Sequence, residues 1–366
     1  MKNKKIVGWF VVFCAVFLSG CSNNQELHQK LIVQGIAVDK TDNGYLITAQ
    51  AFDFQNPQNE DEPSVKLISV DGRTLFDALG NISKKTSLTP VYSQNLILVL
   101  GQSVAQNGVN KFMDFFVRHC EARPKAKICI CQGNASEILS FKQDGKLFKA
   151  KNIHDLIPDN LNSDVLHFVS GLKSGISDPC AAWVQVHEES DQKLVALKGV
   201  AIFSGDVLTG LISGEDAFGF MALKGVTKFS SCVINIFDVA DVTCEINKIK
   251  VKINPQIIDS GPNFEINVIA EVATFAVDSD LSEYSEQQIK SQLSEKFTSK
   301  FSDILYSTIK KIQSLNSDAL NFNKIFRNKF PQYFKQYEKD RASCCKCFNY
   351  TINQTTHIAV TGKEPL

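Results

Sequence analysis

Two segments of the chain alternate hydrophobic and polar residues on either side of a turn, which is the pattern of a β-hairpin. In residues 30–54 the turn is Asp42-Asn43-Gly44, and Asn-Gly tolerates the positive φ angles of a tight turn. In residues 194–214 the turn is Ser204-Gly205-Asp206. Residues 248–276 alternate in the same way. The pattern therefore predicts three regions of β-sheet.

Continuous apolar runs and helical spacing fill the interval between the two hairpins. Residues 95–101 and 125–131 read as buried strands. Apolar residues recur at helical spacing over residues 75–82 and 109–116, and a short helix is expected over residues 135–141. Helices and strands are thus interleaved over the first part of the chain, which indicates an α+β fold.

The clearest helix is predicted to begin at Ser285, with Gln288 three residues on as the partner in a capping box. An apolar stripe then runs over residues 289–312. We expect this stripe to face the core against a sheet; a helix that binds a partner or lies on a membrane is the alternative. A short helix that ends before Pro331 and closing strands between Phe348 and Val360 should follow.

Signals for regular structure weaken over residues 151–192, where proline, glycine and mixed polarity interrupt the patterns. We place a domain junction at the end of this stretch, near residues 188–192. The predicted organisation is a signal peptide at residues 1–20, an N-terminal α+β domain at residues 21–190, and a C-terminal α+β region at residues 191–366 with two subdomains.

The first twenty residues have the pattern of a secretory signal peptide. A positive head precedes an apolar run, residues 6–18, which is shorter than the roughly 20 apolar residues that span a bilayer. Leu18-Ser19-Gly20-Cys21 then reads as a lipobox. An ordinary signal peptide that is cut nearby is the alternative.

Lipidation would take place on Cys21. Small side chains at Ser19 and Gly20 give a peptidase access, and the thiolate is the side chain that alkylates readily under mild conditions. We predict a diacylglyceryl thioether on Cys21, which becomes the N-terminus after cleavage following Gly20. Two acyl chains anchor a protein stably to a bilayer.

Composition narrows the kinds of partner. The chain has 366 residues, 44% hydrophobic content and a formal net charge of zero. Loss of the leader lysines leaves a slight acidic excess, so we expect no nucleic acid as a partner. The lipid is the expected membrane contact.

The 11 cysteines give no clear disulfide framework. Cys129 and Cys131 would share one face of a strand as small buried hydrophobes. Cys344, Cys345 and Cys347 lack the usual metal-ligand spacing. Free thiols, a local disulfide and a metal site all remain open for this cluster, and no metal site is predicted.

The sequence carries no recognised catalytic motif for nucleotide binding, acyl transfer or zinc hydrolysis. His154-Asp155 reads as a solvated turn, and Arg118, Glu121 and Arg123 read as an exposed ion-pair network. We therefore predict that the protein is not an enzyme and needs no cofactor.

Several stretches, taken in order, resemble the Ger(x)C family, the C-subunit lipoproteins of spore nutrient germinant receptors. They are the lipobox with Glu26-Leu27, Gly35-Ile-Ala-Val-Asp39-Lys40, Gly72-Arg-Thr-Leu-Phe76, Asn95-Leu-Ile-Leu-Val-Leu-Gly101, Arg118-x-x-Glu121-x-Arg123, Gly133-Asn-Ala-Ser-Glu137-Ile-Leu139, Gly199 to Gly210, and Asp318-Ala-Leu-Asn-Phe322. The departures are Ser22, where the family often has an aromatic residue, and the cysteine cluster near residue 345.

The resemblance implies three mixed α+β subdomains, each a largely antiparallel sheet with packed helices. It implies a subunit beside a polytopic A subunit and a transporter-like B subunit, anchored on the extracytoplasmic face of the spore inner membrane. It assigns no germinant-binding residue to this chain. A solute-binding lipoprotein, with two similar lobes around a hinge, is the alternative function.

Overall fold

The computed structural model of the protein describes residues 29–54, 64–119, 123–189, 192–227, 231–258, 261–277, 281–337 and 348–360. Its strands are β1 (Lys30–Thr41), β2 (Gly44–Asp53), β3 (Ser64–Gly72), β4 (Thr89–Val91), β5 (Ile97–Gly101), β6 (Lys127–Cys131), β7 (Lys142–Gln143), β8 (Lys146–Leu147), β9 (Cys180–Glu189), β10 (Gln192–Ser204), β11 (Val207–Ser213), β12 (Ser231–Ile236), β13 (Ala240–Ile258), β14 (Gly261–Val277) and β15 (Asn349–Val360).

The helices alternate with these strands. They are α1 (Leu75–Thr86), α2 (Gln102–Gln106), α3 (Asn110–His119), α4 (Ala135–Ser140), α5 (Ala150–Leu156), α6 (Val165–Ser174), α7 (Gly214–Leu223), α8 (Glu286–Ser314), α9 (Phe322–Lys329) and α10 (Pro331–Phe334). Short 3-10 turns lie at Asp159–Leu161 and Lys335–Tyr337. Within the described ranges no helix has the length and hydropathy of a membrane-spanning segment.

Nine of the described strands form a larger, mixed sheet. Its order is β11-β10-β9-β6-β5-β1-β2-β3, and the short β4 pairs with the start of β1. The central strands β9, β6, β5 and β1 are parallel, whereas β10, β11, β2 and β3 add antiparallel pairs at the two sides. Parallel strands are usually covered on both faces, and β5 and β6 are buried along their whole length.

Alternate residues of the central strands belong to two different cores. Val99 and Cys129 lie on one face, in a cluster that includes residues of α4 and α5. Leu98 and Ile130 lie on the other face, in a cluster that includes residues of α1, α3 and α6. Cys129 and Cys131 are both buried in the first cluster, so the expectation that they share one face as small hydrophobes is confirmed.

The smaller sheet has the order β12-β13-β14-β15, with β15 parallel to β14 and the other pairs antiparallel. Helix α8 lies on one face of this sheet and begins at the predicted capping box, in which the Ser285 N–H donates to Gln288 Oε1 at 2.9 Å and the Gln288 N–H donates to Ser285 Oγ at 3.3 Å. The predicted apolar stripe is buried in full. Its members are Ile289, Leu293, Phe297, Phe301, Leu305, Ile309 and Ile312.

Helix α7 joins the two sheets. It follows β11 of the larger sheet and packs against α8, and the two backbones approach so closely that a Cβ on Gly219 would lie 2.1 Å from Thr308 Oγ1. One buried hydrophobic cluster therefore continues from a face of the larger sheet through α7 and α8 to the smaller sheet.

The α+β class and the predicted hairpins are confirmed. The strands are grouped differently from the expected three sheets, because the first two hairpins lie in one sheet whose centre is parallel. The hairpins are joined through β9, which pairs with β10 on one side and with β6 on the other. Hydrophobic alternation gives the strands but carries no information on which strands become neighbours.

The predicted junction at residue 190 falls between β9, which ends at Glu189, and β10, which begins at Gln192. These two strands pair along their length within the larger sheet. The change from one sheet to the other comes after α7. The division of the mature chain at residue 190 stays a prediction.

Three elements occupy residues 151–192, where regular structure was weakly indicated: most of α5, α6 and β9. His154-Asp155 lies in α5 and not in a loop, and that expectation was wrong because a seven-residue helix gives too short an apolar repeat to recognise. The sequence patterns also failed to indicate α7 and β12, and the closing region described is the single strand β15.

Candidate functional site

The predicted lipidation site lies outside the described residues. Cys21, the expected N-terminus of the mature chain, precedes the first described residue by eight positions, and Cys344, Cys345 and Cys347 also fall outside the described ranges. The lipid on Cys21 and the state of the cysteine cluster therefore stay predictions.

The cysteines that the structure does describe are free thiols. Burial raises the pKa of Cys131 and Cys244 to about 12 and that of Cys232 to about 11. Nucleophilic and metal-binding chemistry needs the thiolate, which is scarce at neutral pH for such groups. These cysteines serve as small core residues. The described part of the chain holds no cluster of side chains that would bind a metal ion.

Three of the stretches that carry the family resemblance meet at the carboxylate of Asp39, near the C-terminal end of β1. The side chain is 5% exposed. Its Oδ1 accepts the Ala135 N–H at 2.5 Å and its Oδ2 accepts the Ser136 N–H at 2.9 Å, so it holds the start of α4. Such bonds to a charged acceptor stabilise a fold by about 1.5–3 kcal/mol each.

Gly101 at the end of β5 leaves the space that Asp39 needs. A Cβ built on Gly101 would lie 2.6 Å from Asp39 Oδ1 and 3.2 Å from the Gly133 carbonyl oxygen. The backbone of Gly101 has φ −62° and ψ 147°, a conformation that alanine also adopts. The reason for glycine here is therefore the close approach of Asp39, not backbone freedom.

A buried glutamine on β2 performs a similar role for the segment after α4. Gln50 is fully buried. Its Nε2 donates to the Leu139 carbonyl at 3.3 Å and to the Phe148 carbonyl at 3.1 Å, and its Oε1 accepts the Ala150 N–H at 2.6 Å. The small β7–β8 hairpin is thus fixed at both of its ends.

A second buried carboxylate joins the larger sheet to the C-terminal part of the chain. Asp178 precedes β9 and is 8% exposed. Its Oδ1 accepts the Gly205 N–H at 2.7 Å from the β10–β11 turn, and its Oδ2 accepts the Asp318 N–H at 2.8 Å. One side chain therefore connects three segments that are distant in sequence.

Asp318 continues this network into α9. Its Oδ1 accepts the Phe322 N–H at 2.7 Å and its Oδ2 accepts the Asn323 N–H at 3.0 Å, so it serves the free N–H groups at the start of the helix. Burial raises the pKa of Asp318 well above its ordinary value, and repulsion from Asp178 adds to this effect.

Hydroxyl groups close the same junction. Ser317 Oγ donates to the Phe203 carbonyl at 2.6 Å, and Ser204 Oγ donates to the Asn316 carbonyl at 2.8 Å. The loop before α9 is therefore seated on the β10–β11 turn by side chains from both partners. We call the bonds made by Asp178, Asp318, Ser317 and Ser204 the carboxylate junction.

The other charged groups singled out from the sequence lie at the surface. Arg118 pairs with Asp114 at 2.9 Å, one turn earlier in α3; Glu121, its expected partner, lies outside the described residues. His154 contacts Asp155 at 3.0 Å, and the pKa of that carboxyl is lowered, chiefly by a hydrogen bond from Lys151. Such exposed pairs contribute little to stability.

Two of these positioning residues escaped the sequence reasoning. Asp178 and Gln50 lie in stretches without a recognisable motif, and their role appears only when the distant backbone groups are brought to them. Asp39, Gly101 and Asp318 lie in the stretches that carry the family resemblance.

Two family models match consecutive parts of the chain. Residues 23–184 match the family described as spore germination protein N-terminal domain, and residues 198–362 match the family described as spore germination B3/GerAC-like, C-terminal. The chain belongs to this GerAC-like family of spore germination proteins.

Curated relatives come from Bacillus subtilis (strain 168). Spore germination protein B3 is 25% identical over 70% of this chain and 71% of its own length. Spore germination protein KC is 20% identical over 93% of this chain and 90% of its own length. Among solved structures, the crystal structure of the GerBC protein is similar with a TM-score of 0.57 and 20% identity, covering 88% of this chain and 96% of that one. The GerBC likeness supports the fold.

Gly101→Ala should lower the free energy of unfolding by about 1–3 kcal/mol, because the new methyl group displaces Asp39 from the start of α4. Gly80→Ala is the matched control. Gly80 lies inside α1 with open space around its Cβ position, so alanine there should stabilise the protein by up to about 1 kcal/mol. Chemical denaturation measures both changes; equal effects at the two positions would contradict this account of Gly101.

Asp318→Asn should change the pH dependence of stability. A carboxyl group whose pKa is higher in the folded protein binds more protons there than in the unfolded chain, so its contribution falls as pH rises above about 4. Asparagine keeps one acceptor oxygen and does not titrate. The variant should be less stable than wild type at acidic pH, and the difference should shrink as pH rises.

Urea denaturation of both proteins at a series of pH values measures this difference. A difference that is constant, or that widens with rising pH, would show that the pKa of Asp318 is not raised.

Proposed function

We propose that this protein is the membrane-anchored lipoprotein subunit of a spore nutrient germinant receptor. The single observation that carries the proposal is that two matched family domains of spore germination proteins follow directly on a lipobox at residues 18–21. A diacylglyceryl group on Cys21 would hold the folded part on the extracytoplasmic face of the spore inner membrane.

The subunit acts through protein contacts and not through catalysis. In the described residues the buried carboxylates Asp39, Asp178 and Asp318 accept backbone N–H groups. The buried thiols Cys131 and Cys244 have raised pKa values. Since these carboxylates and thiols are occupied in holding the fold, they favour a role as a structural scaffold over a role in catalysis. Its partners would be the polytopic A subunit and the transporter-like B subunit of the receptor.

The solute-binding alternative finds less support. A solute-binding lipoprotein was expected to have two similar lobes around a hinge. Among the described strands the two sheets differ in size and topology, and a continuous hydrophobic cluster runs from one to the other. That arrangement favours a rigid interaction module.

Cys21→Ala should leave an uncleaved precursor that incorporates no radioactive palmitate, because the acceptor thiol is lost. Cys14→Ala is the matched control, since Cys14 lies inside the apolar run of the same leader and should be dispensable. Labelling and the mass of the mature N-terminus are the measurements. Normal cleavage and labelling of the Cys21 variant would contradict the anchor.

Co-purification from spores tests the proposed role as a receptor subunit separately from the lipid anchor. Acylated wild-type chain, purified from detergent-solubilised spore membranes, should bring down a polytopic protein and a transporter-like protein. An acylated chain that purifies alone would leave the anchor intact and contradict the role as a subunit.

A further inference from the structure

Lysine side chains converge on an open groove beside the β7–β8 hairpin. The groove encloses about 780 Å³, and its lining includes Lys142, Lys146, Lys149 and Lys151. Asp144 also lines it, and Asp155 pairs with Lys151 at 2.5 Å. Among the described residues, these four lysines stand against two carboxylates, which leaves an excess of positive charge at the groove.

An apolar cavity of about 190 Å³ continues from the groove towards the sheet. Phe52, Val65 and Ala150 line it, and Lys149 and Lys151 border both spaces. A ligand that fills both spaces would have to be charged at one end and apolar at the other. Free phosphate would occupy the groove alone.

The groove is built on a firmly held segment. The hairpin turns through Asp144 at φ 50° and Gly145 at φ 76°. Its flanking residues Phe141 and Phe148 pack edge to face, with ring centroids 6.0 Å apart. Gln50 binds the backbone on both sides of the hairpin. The lysines are therefore presented on a preorganised frame, which lowers the entropic cost of binding.

The groove also lies close to the membrane anchor along the chain. Gln34, which lines the apolar cavity, is on β1 four residues after Lys30, and Cys21 precedes Lys30 by nine residues. An extended chain of nine residues spans at most about 30 Å. The tether therefore keeps the groove within reach of lipid headgroups.

We propose that this groove binds the phosphate of an anionic membrane lipid, with the adjoining apolar cavity taking part of the hydrocarbon. The ammonium groups of lysine bind phosphate as point charges. Anionic lipids at a bilayer surface present phosphates at high local density. The inference rests on the proposed anchoring at Cys21, since the anchor brings the two together. Bound lipid would orient the folded part relative to the bilayer.

Vesicle co-sedimentation tests the proposal with the complete mature chain, carrying Cys21→Ala and lacking the leader so that no acyl chain contributes. The vesicles are phosphatidylcholine alone, or an equimolar mixture of phosphatidylcholine and phosphatidylglycerol. This chain, with its groove lysines intact, should bind the mixed vesicles and not the neutral ones. The variant Lys142→Gln/Lys146→Gln/Lys149→Gln should bind the mixed vesicles roughly 100-fold more weakly. At tenfold for each 1.4 kcal/mol, this loss corresponds to about 2.8 kcal/mol.

A second set of lysines provides the matched control. Lys248, Lys250 and Lys252 are exposed at alternate positions of β13, on the face of the smaller sheet opposite α8. Their triple replacement by glutamine removes the same charge and should change vesicle affinity by less than about threefold. Thermal unfolding of both variants verifies that each is folded.

Three results would overturn the proposal. Unchanged vesicle affinity in the groove variant would show that these lysines do not reach lipid, and an equal loss of affinity in both variants would show unspecific attraction. Calorimetric binding of glycerol phosphate as tight as vesicle binding would make the groove a site for soluble anions. Palmitate labelling of Cys21 reports on the anchor independently, so failure of either idea is distinguishable from failure of the other.

Discussion

The carboxylate junction is the constraint on which the relation between the two sheets depends. Asp178 accepts N–H groups from Gly205 and Asp318, and Asp318 in turn serves the start of α9. A buried carboxylate without such donors costs several kcal/mol, so the turn of the larger sheet and the loop before α9 must both be in place. The hydrophobic cluster through α7 and α8 adds buried apolar area between the two sheets. The carboxylate junction fixes the position of the loop before α9 on the β10–β11 turn.

The N-terminal part of the chain uses the same solution twice. Asp39 holds α4, and Gln50 holds the hairpin that follows it. Gly101 allows the first of these contacts by leaving room for a carboxylate oxygen. Asp39 and Gly101, which carry part of the family resemblance, thus have a structural role: they hold α4 against the larger sheet. We propose that the function is carried by the features that this frame holds at the surface: a lipid tether, a lysine-lined groove and surfaces for partner subunits.

Local elements could be predicted from the sequence because their signals are local. The Asn43-Gly44 turn, the Ser285 capping box and the stripe on α8 each depend on neighbours within a few residues. Strand neighbours could not be predicted, since β9 carries buried residues on both faces and pairs with strands far from it in sequence. Gln50 and Asp178 could not be predicted either, because their partners lie up to 140 residues away.

Hydrogen exchange in increasing denaturant, resolved by peptide, tests most directly whether the carboxylate junction couples the two sheets. In wild type, the central strands β5 and β6 and the strands β13 and β14 should lose protection together. In Asp178→Ala, α9 and the smaller sheet should open at lower denaturant than the larger sheet, while the exposed-pair variant Asp114→Ala behaves as wild type. Joint unfolding of both sheets in Asp178→Ala would contradict the account.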